Sequence, residues 1–272
     1  METNHEVPRG SWPPAGRALS GWIVVALLVG VALVFGTARL SGISLIRPAA
    51  ERAQATVRIW SSLDTLKAGR TEAHVSLADV ASGPDVIGIG SLSGLRGEIA
   101  IVRGVPWLSY ALPGGGVRVE RFGVGDEQAT FLAVADVPAW QSQSLDSPVA
   151  FEALASELER RASQAGLDTS KPIPLLIEGA LSSIELNVVN GPALGNQTPT
   201  DERMADVAIR AAVPAAEGTL VGFIASRGGE RLIHRGKRVH LHVVLPATGH
   251  VGHLDSVVVG EGSVLRLPRA LN

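Results

Sequence analysis

At 272 residues, the chain is long enough to bury one or two cores. Its formal net charge is −2 and it has no basic tract, which excludes a broad nucleic-acid surface because phosphate binding needs clustered Lys and Arg. It has no cysteine, so disulfides and thiolate metal ligands are excluded as well. With 31 Gly but only 5 Phe and 1 Tyr, the composition predicts short strands and tight turns around an aliphatic core.

Residues 1–19 read as a polar, Pro-containing tail. Residues 20–38 carry no charge, and 22–35 are almost wholly apolar. At ~1.5 Å per residue such a run nearly crosses a bilayer, so 20–38 is expected to be a transmembrane signal-anchor. The small residues Gly36, Thr37 and Ala38 leave a cleaved signal peptide as the alternative. Arg9 and Arg17 precede the run and Arg39, Arg47 and Arg52 follow it, a count that favours a cytoplasmic C-terminus. A short tail before a single apolar segment is nevertheless the layout of an export signal. The expectation is therefore a membrane-anchored protein with its soluble domain on the extracytoplasmic side, or a secreted one after cleavage.

Residues 39–55 read as a linker and 56–272 as a folded domain. In chain order, 57–60 is strand-like, and 62–68 is a short helix with Ser61 or Ser62 as its N-cap. Residues 86–102 read as two strands split by Gly-rich turns, Gly114 to Gly116 as a turn, and 130–135 as a strand. Over 148–165, Phe151, Leu154, Ala155 and Leu158 recur at helical spacing, and Gly166 supplies the stop. Residues 174–179 and 183–189 read as paired strands and 191–203 as a polar loop. Residues 218–225, 239–245 and 251–259 complete an antiparallel set. The predicted class is α+β, with mixed or antiparallel sheets and few helices, behind the N-terminal transmembrane helix.

Five of the seven histidines lie between positions 234 and 253. His240 and His242 are two apart, which on a strand sends both imidazoles to one face. A symmetric turn over 246–249 would set Leu245 opposite His250 and His242 opposite His253. That register puts His253 on the face of the pair and His250 on the other. Three imidazoles converging in this way suit a divalent ion, Zn²⁺ foremost, with a position left open for substrate. His234 and His250 read as loop or rim residues. The cupin pattern is excluded, because Val243 and Val244 follow the pair where that family places a Glu within a few residues.

In its order of motifs the chain resembles the acetolactate decarboxylase family. The resemblance rests on Gly218-Thr219-Leu220-Val221-Gly222-Phe223, then His240-Leu241-His242, then Gly252-His253. In the first half it rests on Ile59 to Leu66, Ile89-Gly90-Ser91 and Leu95-Arg96-Gly97-Glu98-Ile99. It spans roughly 56 to 268. By resemblance, His240, His242 and His253 are metal ligands, Glu98 is the active-site carboxylate, and Ser91 keeps a hydroxyl where the family commonly has Thr. Two positions depart from the family pattern. Asn187 stands where the family has an Arg that would face substrate, and Leu271 stands where it has a C-terminal Glu.

The resemblance implies a metal-dependent decarboxylase that converts a 2-hydroxy-3-keto acid such as acetolactate to acetoin. The alternative is a membrane-tethered, metal-bearing binding protein derived from that family without catalysis. The partners implied are a small-molecule substrate and, through 20–38, a membrane. A homodimer is compatible with the sequence, and a nucleic acid is not expected.

Overall fold

The computed structural model describes residues 55–121, 126–227 and 229–269. The expected anchor at 20–38, the tail, nearly all of the linker, and Leu271 lie outside the described residues. Among the described residues no helix is long and apolar enough to cross a membrane.

Each half of the domain makes one antiparallel sheet. The first half contributes β1 (Val57–Trp60), β2 (Val75–Ser76), β3 (Val86–Leu92), β4 (Gly97–Val102), β5 (Val105–Ala111), β6 (Val117–Arg121) and β7 (Gln128–Asp136). They lie in the order β1-β7-β3-β4-β5-β6, with β2 also on β7. The second half contributes β8 (Trp140–Ser144), β9 (Val149–Ala150), β10 (Ile173–Val188), β11 (Ile209–Ile224), β12 (Val239–Leu245), β13 (His250–Val259) and β14 (Val264–Pro268), in the order β8-β14-β10-β11-β12-β13-β9. Because β10 also pairs with β13, the strands β10, β11, β12 and β13 close on themselves.

Helices are few, as expected: α1 (Leu63–Lys67), α2 (Leu77–Val80), α3 (Phe151–Gln164) and α4 (Asp201–Val207). The α1 N-cap is Ser62, whose Oγ accepts the Thr65 N–H at 3.1 Å and so satisfies a donor the helix leaves over. In α3, Leu154, Leu158 and Ala162 form the buried stripe that 3.6-residue periodicity requires.

Two sequence expectations are corrected. Residues 174–179 and 183–189 are not a hairpin but parts of one 16-residue strand, β10, paired along its length with β11. The chain bends there without reversing: Ser183 takes φ 49° and the register against β13 shifts between Ser182 and Leu186. The segment 191–203, read as a loop, contains a 3₁₀ turn (Gly191–Leu194) and leads into α4, whose exposed, charged surface left no apolar period to detect.

Strand alternation sorts the core into layers. Leu241, Val243 and Leu245 of β12 face α3 together with Leu175, Leu220, Leu254 and Leu265. The opposite face of this sheet meets the inner face of the first. There Leu176, Val221, Phe223, Val244 and Val251 pack with Ile87, Ile89, Ala100, Phe131 and Ala133. Ile99, Ile101, Leu108, Leu132 and Val134 cover the outer face of the first sheet with α2. The sheets are also tied by ions. Arg103, at the β4–β5 turn, forks onto Glu178 of β10 at 2.6 and 2.9 Å, and Arg266 joins the same carboxylate at 2.6 Å.

Close approach of β13 to β10 depends on Gly252. A Cβ there would stand 2.5 Å from the Asn187 carbonyl oxygen. Gly252→Ala should therefore destabilise the domain by about 1–3 kcal/mol in chemical denaturation. Gly116→Ala, whose Cβ would meet only ordinary contacts at 3.7 Å, should leave stability near wild type. Equal stability in the two variants would refute this account of the strand contact.

Candidate metal centre

The inner, inter-sheet faces stop being apolar at one end, and the polar residues there follow from the same alternation. On β3, Ile87, Ile89 and Ser91 share the inner face. On β4, Glu98 lies opposite Ser91 and Ala100 opposite Ile89. On β12, His240 and His242 share that face with Val244. His253 of β13 pairs directly with His242, and Leu245 with His250. This is the register expected from a symmetric 246–249 turn, in which Gly249 takes φ 68°. Asn187 of β10 pairs with His253. Ser91, Glu98, Asn187, His240, His242 and His253 line one cavity of about 470 Å³, and His250 does not.

The imidazoles converge. Ring centres of His240 and His253 are 5.1 Å apart, those of His240 and His242 5.5 Å, and those of His242 and His253 5.8 Å. His234 joins them, 5.1 Å from His240 and 5.4 Å from His253. Donor atoms of His234, His240 and His253 lie within 4.8 Å of one another. His234 does sit in a loop, as the sequence suggested, but the loop folds into the cluster. Buried Leu232 and Ile233 anchor it, and the Leu232 carbonyl receives the His240 Nδ1–H at 2.6 Å. That bond fixes the His240 tautomer and leaves Nε2 with its lone pair.

Second partners hold His253. Its Nδ1 is 3.3 Å from Asp255 Oδ1, and Asn187 Nδ2 donates to the same oxygen at 2.7 Å. Asp255 was missed in the sequence reading. Its signal was strand parity, two residues beyond His253. Burial would raise the Asp255 carboxyl, but hydrogen bonds from His253 and Asn187 outweigh it and hold the group below the ordinary value. It stands ready as the anionic orienter of an imidazole.

Burial governs the remaining titrations. His240 and His242 are held well below the usual imidazole range by burial, reinforced by the charge of His253. His234 is lowered to about 4 by burial and then by His253. All three are thus neutral at pH 7, the form in which imidazole binds a cation. Among the described residues, His242 Nδ1 is buried without a hydrogen bond of normal geometry, and so is Ser91 Oγ. Glu98, 6% exposed, is pushed up to about 8 by burial. The Val189 N–H, donated to its Oε1 at 3.1 Å, works against the shift, and repulsion from Asp255 adds to it. Its Oε2 lies 3.8 Å from His242 Nε2. These residues fit a divalent cation: clustered imidazole nitrogens, one ring backed by a carboxylate, beside a buried acid.

A two-sheet α+β fold with a histidine cluster between its inner faces defines the class, and comparison with known proteins supplies the family. The family model for alpha-acetolactate decarboxylase matches residues 59–266, and the chain belongs to that family. Among solved structures, alpha-acetolactate decarboxylase from Bacillus subtilis strain 168 superposes with TM-score 0.63 at 15% identity, covering 79% of this chain and 87% of that one. A protein of unknown function from Staphylococcus aureus, described as similar to alpha-acetolactate decarboxylase, gives TM-score 0.59 at 16% identity, covering 78% and 84%. At such identities the likeness is one of fold. No curated protein matches the chain.

Glu98 sets a pH dependence with a definite sign. The folded chain holds this proton up to about pH 8, whereas an unfolded Glu releases it near 4.5. Protonated Glu98 costs nothing below 4.5, and burial of the carboxylate becomes destabilising as pH rises from there to about 8. In metal-free protein, Glu98→Gln should gain thermal stability relative to wild type across that window, while the histidines contribute alike to both. A stability difference that stays flat from pH 5 to 8 would contradict this.

Proposed function

We propose that the chain is a metal-dependent decarboxylase acting on a 2-hydroxy-3-keto acid such as acetolactate and releasing CO₂ and acetoin. The observation that carries this reading is the position of Glu98, a buried acid whose carboxyl burial pushes up, beside the imidazole cluster in a cavity sized for a small molecule. His240, His242 and His253 would hold the ion. Imidazole donors favour Zn²⁺ among the common candidates. Once bound, the ion supplies positive charge for the electrons that loss of CO₂ leaves on the neighbouring carbonyl oxygen.

The chain's own groups do the rest. The bond between the carboxylate carbon and the hydroxyl-bearing carbon breaks, CO₂ leaves, and that hydroxyl-bearing carbon must receive a proton. Glu98 is the donor, its raised affinity keeping the proton available. Ser91 Oγ, buried on the strand opposite Glu98 and without a partner among the described residues, is placed to bond a substrate oxygen.

Asn187, expected to face substrate, is engaged with Asp255, so its main part is to position His253. The cavity is lined by two cations instead. Lys67 is paired with Asp201 at 2.8 Å. Arg210, directly across the ladder from Asn187, donates to the Ala205 carbonyl at 2.6 Å and makes no salt bridge among the described residues. Arg210 is the cation available for the substrate carboxylate. The apolar run at 20–38 completes the proposal as a tether that leaves this domain extracytoplasmic.

Acetoin release from acetolactate by the purified full chain, in detergent, tests the reading. Glu98→Gln should keep its metal yet lose about 10²-fold or more in kcat. Arg210→Gln should raise KM about tenfold, as loss of a charge-assisted bond requires. Metal analysis should show His253→Ala depleted and His250→Ala loaded. A loaded wild type that yields no acetoin would favour the metal-bearing binding protein.

A further inference from the structure

We propose that His234 is a fourth imidazole ligand of the centre, and the one that leaves when another ligand enters. Metal–nitrogen bonds of about 2.0–2.1 Å put the centre of a bound imidazole about 3.2 Å from the ion, so four at tetrahedral corners have ring centres about 5.2 Å apart. His234 meets this spacing on two sides, at 5.1 Å from His240 and 5.4 Å from His253. The three strand-borne rings stand 5.1 to 5.8 Å from one another. Its donor atom also falls within 4.8 Å of those of His240 and His253.

Nothing else occupies the ring. It makes no hydrogen bond among the described residues, and its aromatic contacts there are edge contacts with those same two histidines.

Its backbone setting separates it from the other three. His240, His242 and His253 are fixed by the β11–β12–β13 ladder, and moving any of them breaks strand pairing. His234 lies in the irregular stretch 229–238, where its own carbonyl accepts the Lys237 N–H at 2.9 Å in a local turn. His234 takes no part in strand pairing, so displacing its side chain breaks none of it, while Leu232 and Ile233 keep the loop anchored in the inter-sheet core. The four-ligand shell is then closed at rest and opens one position on demand. That substrate is what displaces His234 rests on the decarboxylase reading; the ligation itself does not.

The test uses the full chain loaded with Co²⁺ in place of the native ion and no substrate. X-ray absorption should count four imidazole nitrogens in the wild type and three in His234→Ala. His234→Ala should bind the ion about tenfold more weakly or worse, since removing even an outer-shell partner of a ligand costs that much. Free imidazole should restore the wild-type visible spectrum to His234→Gly. Azide should bring wild type and His234→Ala to the same spectrum, because His234 has gone from both. Three nitrogens in the wild type overturn the proposal, even if the variant fails to fold. Unchanged affinity in His234→Ala, or unlike azide adducts, overturns it too. Four nitrogens in a chain that makes no acetoin would uphold the ligand and remove the decarboxylase, and three in an active chain would do the reverse.

Discussion

The pairing of His242 with His253 across the β12–β13 hairpin is the contact on which the site depends. Side chains on a strand alternate with period two, so a slip of one residue would turn His253 away from the cavity and bring Gly252 or Leu254 into its place. Three devices prevent the slip. Gly249 accepts the left-handed turn conformation, Gly252 lets β13 lie against the Asn187 carbonyl, and Val244 and Val251, paired directly, bury together in the inter-sheet core. The histidine cluster is thus placed by the same packing that stabilises the fold.

The same core explains why the cavity has unusual acid–base chemistry. Ser91 and Glu98 continue an inner face that is apolar from Ile87 onward, and the histidines continue the face that carries Val244. A polar group at the end of such a layer loses its water without gaining a charged partner as close as a surface ion pair would give. Burial consequently moves the carboxyl up and the imidazoles down, and both kinds of group become neutral together.

Much of this was legible in the sequence where a single period governed it. The His240–His242–His253 face, the α3 stripe and a serine cap at 61 or 62 each followed from a local rule, and the structure has all three, with Ser62 as the cap. Legibility failed where no period existed. His234 reaches the cluster through an irregular loop, so spacing could not place it. α4 has no buried residue to mark it. The Gly179 to Ser183 stretch has the composition of a turn, yet pairing with β11 on one side and with β13 and β14 on the other keeps β10 from reversing there. Arg210 was overlooked because it lies on a half of β11 whose residues are mostly exposed or half-buried, and its value comes from standing across the ladder from Asn187.

The absence of cysteine has an electrostatic consequence. Thiolate ligands would cancel the charge of a divalent ion, but imidazoles are neutral and would leave it undiminished. In the metal-free chain burial pushes Glu98 up to about 8, Asp255 is held below its ordinary value and Asp201 is paired with Lys67, so Asp255 would offset the ion only in part. A loaded cavity would therefore be an electropositive well opening near the exposed Arg210. Small anions would be drawn into it by long-range attraction before any shape-dependent contact forms, and added salt would weaken that capture.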